Sequence, residues 1–305
     1  MKSIANIFEK ISDALNPIVV KEVRQAVRGK FLIVVLMLFL VVQLVTMGMF
    51  LASKSTALSF NAGRTIFSVL LAILSATCLL FVPAYTGIRL AIERSDANVD
   101  LMFITTLRPR SIIWGKFLAA LILTVLLYSA CMPFMTFTYL LRGIDLPSIF
   151  ILLVFNFIII AAGTQCAIFI GCIPTNWVFK TILGVLWLAA VVGIFLGTTA
   201  LSFLMVDSGI GSQLNSWRFW RGALGVLVSG GALIVHLTLL STALISPVSV
   251  NRALSLRIFA ITAFVITAWL LTGLCITWSD DIWLTVSLLL LAWAGTFSVT
   301  RWLPR

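Results

Sequence analysis

The side chains best suited to chemistry are four uncharged polar residues that stand inside long apolar runs. A polar group in lipid is costly, so it either joins neighbouring helices by hydrogen bonds or lines a path for a polar solute. Both interpretations stay open at this point. We name these four as candidate pathway residues: Gln43, Asn156, Gln165 and His236.

Catalysis and metal binding have little support in the residue inventory. His236 is the only histidine, which excludes a histidine-based metal cluster, and none of the five cysteines forms a CxxC pair. The sequence contains no GxxxxGKS/T phosphate loop, no HExxH and no GxSxG. We therefore expect no catalytic residues, no metal site and no cofactor on this chain.

Two further segments combine charged and apolar residues. Residues 87–116 carry mixed charges beside an apolar stretch that is too short to span a membrane. Because functional loops tend to be long, this pattern favours docking to a protein partner. The alternative is that the segment extends two long helices and packs on itself. Residues 4–30 are amphipathic and end in a basic cluster, which predicts a helix in the headgroup plane or a passive anchor.

Membrane-spanning helices must position these residues. The chain is 61% hydrophobic and 10% charged, whereas a soluble protein carries roughly 25% charged residues. We predict an all-α, polytopic transmembrane helix bundle with about eight spans, because each crossing needs about 20 apolar residues. The spans are Phe31–Leu51, Ile66–Thr86, Phe117–Leu141, Ile149–Gly171, Thr181–Leu204, Gly222–Ile245, Ile258–Thr277 and Ile282–Thr300.

The distribution of basic residues predicts the orientation. With both termini in the cytoplasm, 16 Lys and Arg residues fall inside and 5 fall outside, as the positive-inside rule requires. This asymmetry accounts for the net charge of +11 without any nucleic-acid partner. We divide the chain into a cytoplasmic amphipathic segment, 1–30, and a membrane domain, 31–305, in which 256–300 form a C-terminal hairpin.

The order of short motifs resembles a known family. Asn16-Pro17-Ile18-Val19-Val20-Lys21-Glu22-Val23-Arg24 precedes the first span. Glu93-Arg94, the run DLMFITTL at 100–107 and Trp114-Gly115-Lys116 lie between the second and third spans. This arrangement resembles the permease subunits of ABC-2 type ABC transporters, over about residues 16–145. In that family a connecting helix of the form NPxxxKEhR leads into the first span, and a coupling helix follows the second.

The resemblance implies a non-catalytic transport subunit in the bacterial plasma (inner) membrane. A separate ABC ATPase would bind ATP and Mg²⁺, and a second permease copy or a paralogous permease would complete the pathway. The implied ATPase-docking residues of the coupling loop 87–116 are Glu93, Arg94, Asp96, Asp100, Leu101, Phe103, Thr105 and Leu107. Those of the connecting helix are Asn16, Pro17, Lys21, Glu22 and Arg24. Because the family core has six spans, the hairpin 256–300 would be an addition.

Two other classes of function remain as alternatives. An ion-coupled secondary transporter predicts ionisable residues near the midplane, often with an inverted repeat. A membrane enzyme or assembly scaffold predicts His, Asp or Glu clustered at the membrane face. The sequence shows no mid-membrane Asp or Glu and no repeat of fixed period, so a permease driven by a partner is the leading hypothesis.

Overall fold

In the computed structural model almost all of the described residues are helical, and the exceptions are short connections such as 173–176. It describes residues 17–52, 62–95, 109–141, 144–209, 215–246, 257–259 and 261–262. No strand occurs within those ranges. The long helices are α1 (Pro17–Arg28), α2 (Lys30–Ala52), α3 (Ala62–Ser95), α4 (Pro109–Leu140), α5 (Leu146–Cys172), α6 (Trp177–Ser208) and α7 (Trp217–Ile245).

Six of these helices, α2 to α7, are long and apolar enough to cross a membrane. Each contains or nearly contains one of the first six spans that the hydropathy predicts, which supports a multi-pass helical membrane protein. The predicted seventh and eighth spans lie outside the described residues, apart from 257–259 and 261–262. The total of eight and the cytoplasmic location of both termini stay predictions.

α3 lies at the centre of the bundle. It packs most extensively against α5 and also contacts α2, α4 and α6. Its inward side chains include Phe67, Leu70 and Leu74, none of which has any exposed surface. α3 and α5 come closest at Gly87, where a Cβ atom would lie 3.0 Å from the backbone oxygen of Ala167. A larger residue at Gly87 would therefore push the two central helices apart.

α6 lies at the edge of the bundle and exposes apolar surface. Of its residues whose side chains are described, only Val191 and Val206 are buried. Val185, Leu186 and Leu204 are each more than 60% exposed. Apolar surface on this scale is unfavourable in water and favourable in lipid or against another protein chain. The exposure of α6 therefore agrees with a membrane environment.

α3 and α4 continue beyond the predicted spans. α3 runs past Thr86 to Ser95, and α4 begins at Pro109, well before Phe117. Both ends of the segment 87–116 are thus helical, as the helix-extension interpretation expects, and residues 96–108 between them lie outside the described part of the chain. We call the end of the bundle where α3 ends and α4 begins the α3–α4 end.

Candidate functional site

Three charged side chains form a cluster at the α3–α4 end, and we call them the ion triad. Lys116 Nζ donates a hydrogen bond to Glu22 Oε1 at 2.6 Å. The same nitrogen lies 2.7 Å from Glu93 Oε2. The side chains of Lys116 and Glu22 are buried, whereas that of Glu93 is 39% exposed. One ammonium group therefore connects α1, α3 and α4.

The contribution of each ion pair to the stability of the fold depends on how deeply the pair is buried. Taking a charged group out of water costs several kcal/mol, which a carboxylate in hydrogen-bond contact can offset. The ion pair between Lys116 and the partly exposed Glu93 stabilises the fold by no more than about 1 kcal/mol, because water screens the attraction between the two charges. Loss of Lys116 would leave the carboxylate of Glu22 buried without this partner, at a cost of about 3–5 kcal/mol. The Lys116–Glu22 bond is therefore the one that fixes α1 on α4.

α1 carries Glu22 in the middle of the face that it turns toward the bundle. The buried residues of α1 are Val19, Glu22 and Ala26. Spacings of three and four residues place them on one side of the helix. Lys21 and Arg24, the basic residues named for the connecting helix, are exposed. α1 is thus an amphipathic helix that docks one acidic side chain, and Pro17 is its first residue.

Lys116 belongs to the motif Trp114-Gly115-Lys116, but the sequence alone assigns it no role in a site. One signal was available, because Lys116 immediately precedes the third apolar run at Phe117. An ammonium group at that depth needs an acidic partner or an exit to water. The identity of the partner was out of reach, since Glu22 lies 94 residues earlier in the chain. Glu22 and Glu93 were both named as docking residues, and the structure brings them together on one lysine.

Aromatic residues of α2 and α3 lie beside the triad. Arg89 donates a hydrogen bond to the hydroxyl of Tyr85. The Tyr85 ring stacks on Phe31, the second residue of α2, with 6.1 Å between centroids. Glu22, Arg89 and Lys116 line a cavity of about 10 Å³, which is about the space of one water molecule. The triad therefore has no room for a substrate, and its geometry suits a joint between helices.

Several residues named for the coupling loop fall outside the described part of the chain. Glu93 lies in α3, and Arg94 continues the same helix. No position is described for the remaining coupling-loop residues or for one residue of the connecting helix. These are Asp96, Asp100, Leu101, Phe103, Thr105, Leu107 and Asn16. Their docking role stays a prediction.

Two of the candidate pathway residues bridge helices inside the bundle. Gln43 Nε2 donates to the carbonyl oxygen of Leu70 at 3.5 Å and to Cys131 Sγ at 3.3 Å. Asn156 Oδ1 accepts a 2.8 Å hydrogen bond from Ser75 Oγ. These contacts join α2 to α3 and α4, and α3 to α5. They support the helix-joining interpretation, while contact with a solute stays a prediction.

The other two candidates lie on α5 and α7. Gln165 has no exposed surface, and within the described ranges neither atom of its amide has a hydrogen-bond partner. It occupies the same side of α5 as Ile168, which packs in one cluster with Ile245 of α7. His236 is largely buried, and its ring stacks on Phe259 with 6.1 Å between centroids. An unbonded buried amide can accept a water molecule or a solute that enters the bundle.

Metal-binding geometry is not found within the ranges that the structure describes. No group of three His, Cys, Asp or Glu side chains there is arranged to hold an ion. Cys78, Cys131, Cys166 and Cys172 are free thiols, three of them buried. None of the four forms a disulfide, and Cys131 accepts the hydrogen bond from Gln43.

Comparison of the chain with protein-family models, with curated proteins and with solved structures gives no match. The charged arrangement that the structure describes at the α3–α4 end is the ion triad, and two of its members, Glu93 and Lys116, belong to the segment 87–116 that the sequence motifs mark for docking.

Proposed function

We propose that this chain is the permease subunit of an ABC-2 type transporter in the bacterial plasma membrane. In this proposal a separate subunit hydrolyses ATP with Mg²⁺, and this chain moves a substrate across the bilayer together with a second permease copy or a paralogue. The observation that carries the proposal is the ion triad. It fastens the amphipathic helix α1 to the two spanning helices on either side of residues 96–108.

Because of the triad, a partner protein can displace the same helices from two places. A displacement of residues 96–108 moves the ends of α3 and α4 directly. A displacement of α1 is transmitted to α4 through Glu22 and Lys116, and to α3 through Lys116 and Glu93. Packed side chains, ion pairs and rigid helices are the elements that carry such coupling. The joint therefore makes α1, α3 and α4 respond together.

The central place of α3 extends this coupling into the membrane. α3 is continuous over 34 residues and α4 over 32. A displacement at the α3–α4 end is therefore carried along each helix to the far side of the bundle. α3 packs most extensively on α5, so α5 is the next element to move. A pathway beside α3 and α5 would open and close with that displacement.

The expected contact with the ATPase combines apolar burial and charge. Leu101, Phe103 and Leu107 provide apolar anchors, as interface cores do. Asp96 and Asp100 orient the partner from the rim. This chain has no phosphate-binding motif of its own, so the energy comes from the partner.

Purification of the tagged chain from its own host in mild detergent tests the proposal, with ATP hydrolysis as the readout. We expect an ATPase on a separate chain to co-purify, and its activity to be sensitive to vanadate. The combined change Asp96→Lys and Asp100→Lys should lower the bound activity about tenfold, if each rim charge contributes roughly 0.5–1 kcal/mol. Neither residue is a member of the ion triad, which consists of Lys116, Glu22 and Glu93, so the variant keeps all three of its side chains.

The matched control reverses a charge at the opposite end of the bundle. Asp145→Lys changes an exposed residue that precedes α5, and it should leave the bound ATPase activity unchanged. The proposal is wrong if no ATPase co-purifies and vesicles containing this chain alone transport solute with an ion gradient and no ATP. That outcome would favour the ion-coupled secondary transporter.

A further inference from the structure

An apolar groove opens between α3, α5 and α6 near the α3–α4 end, and we call it the α6 groove. Its volume is about 360 Å³, within the range of small-molecule sites. Its floor is the close contact of α3 with α5 at Gly87 and Gly171. Its wall includes Gly184 of α6, where a Cβ atom would meet nothing within 4 Å. The groove exists because the only side chains that α6 buries among those described, Val191 and Val206, lie farther along the helix.

The lining of the groove is apolar except at one end. Pro83, Ile88 and Leu188 are among the apolar residues that line its length. Trp177 and Lys180 stand together at the first turn of α6, and Lys180 is the one charged residue among those that line the groove. An indole and an ammonium at the end of a spanning helix are typical of the headgroup layer. The groove thus has an apolar body and a cationic mouth.

The predicted topology assigns this mouth to the cytoplasmic leaflet. Lys180 belongs to the 16 basic residues on the cytoplasmic side. That leaflet carries anionic lipids, and basic pockets between helices on that side bind anionic head groups. An acyl chain matches the apolar body of the groove, and a phosphate matches the ammonium at its mouth. A zwitterionic lipid also has a phosphate, but the ammonium of its own head group offsets the attraction to Lys180, so the anionic lipid is preferred.

We propose that the α6 groove binds an anionic phospholipid of the cytoplasmic leaflet. One acyl chain lies along α3 and α6, and the phosphate accepts a hydrogen bond from the Lys180 ammonium. The site requires insertion in a membrane with the orientation given above. It does not require an ATPase partner, so its failure and the failure of the proposed function are separate results.

Lipid retention measures the role of the charge. The purified chain is reconstituted in bilayers of equal phosphatidylglycerol and phosphatidylcholine, then transferred to mild detergent, and its retained lipids are measured by mass spectrometry. We expect the wild-type chain to retain phosphatidylglycerol preferentially. Lys180→Ala should reduce the preference about fivefold, and Lys180→Arg should keep it. Arg110→Ala removes an exposed cation outside the groove and should leave the preference for phosphatidylglycerol unchanged.

Filling the groove measures the role of its shape. Gly184→Trp should lower the total retained lipid, because the indole would occupy the apolar body. Gly193→Trp is the matched control on the same helix, since its Cβ also meets nothing within 4 Å and it does not line the groove. Equal phosphatidylglycerol preference in the wild-type chain and Lys180→Ala would overturn the proposal. The proposal would also be overturned if Gly184→Trp abolished dimerisation of the chain and left the retained lipid unchanged, because a second copy of the chain would then be the occupant of the groove.

Discussion

Lys116 is the side chain at which α1, α3 and α4 meet. Its ammonium lies in hydrogen-bond contact with two carboxylates from different helices, Glu22 and Glu93. Arg89 lines the same small cavity, so two cations and two anions lie close together. A nearly neutral group of charges can be kept out of water at far lower cost than an unpaired charge.

The buried Lys116–Glu22 pair and the partly exposed Lys116–Glu93 pair should differ in how much they stabilise the fold. Lys116→Met should lower the free energy of unfolding by about 3–5 kcal/mol, because the carboxylate of Glu22 stays buried and loses its partner. Glu93→Gln should cost no more than about 1 kcal/mol, since that pair is partly solvated. Thermal or denaturant unfolding in the same detergent measures both variants.

A double variant controls for lost packing. Lys116→Met together with Glu22→Leu replaces the buried pair by apolar residues and should recover most of the stability. Equal, small losses for Lys116→Met and Glu93→Gln would show that the triad is not a buried joint.

The sequence predicts the burial of single polar residues better than it predicts their hydrogen-bond partners. Gln43 and Asn156 were expected inside the bundle because they stand in apolar runs, and both are buried there. The bond from Gln43 to Cys131 was not predictable, because the two residues are 88 positions apart in the chain and their contact depends on how their helices are rotated. Hydropathy gives the depth of a residue in the membrane, but not the direction of its side chain.

Most ends of the first six predicted spans lie within a few residues of the corresponding helix ends. This agreement follows from the thickness of the bilayer, because each crossing needs about 20 apolar residues. The extension of α3 from Thr86 to Ser95 was not included in the predicted span. Residues 87–95 are charged enough to lower the hydropathy, yet they continue the same helix. Hydropathy therefore locates the membrane but not the end of a helix.

A second prediction concerns the contact between α5 and α7. At Gly230 a Cβ atom would lie 2.5 Å from Cγ2 of Ile158. Because Cγ2 belongs to a branched side chain, Gly230→Ala must separate the helices or force Ile158 from its rotamer. We expect a loss of about 1–3 kcal/mol in the free energy of unfolding.

The neighbouring glycine is a matched control for this contact. A Cβ atom at Gly231 would meet nothing within 4 Å. Gly231→Ala should therefore stabilise α7 by up to about 1 kcal/mol, through helix propensity alone. The two variants are compared by their thermal unfolding midpoints, and equal shifts would mean that α5 and α7 are not packed as described.

Among the described helices, α3 is the central one and α6 a peripheral one. The sequence could not predict this order, because both helices read as apolar runs of sufficient length. Only the packing shows that α3 is surrounded by α2, α4, α5 and α6. The exposed apolar side chains of α6 can contact lipid or a second copy of the chain.

The account depends most on the α3–α4 end facing the cytoplasm, where an ATPase can reach it. Labelling with a membrane-impermeant maleimide tests this directly, in spheroplasts and after permeabilisation. Ser95→Cys should react only after permeabilisation, while Leu146→Cys at the start of α5 should react in intact spheroplasts, and the wild-type chain gives the background of its own cysteines. Reaction of Ser95→Cys in intact spheroplasts, with Leu146→Cys protected, would place the ion triad outside the cell and contradict the account.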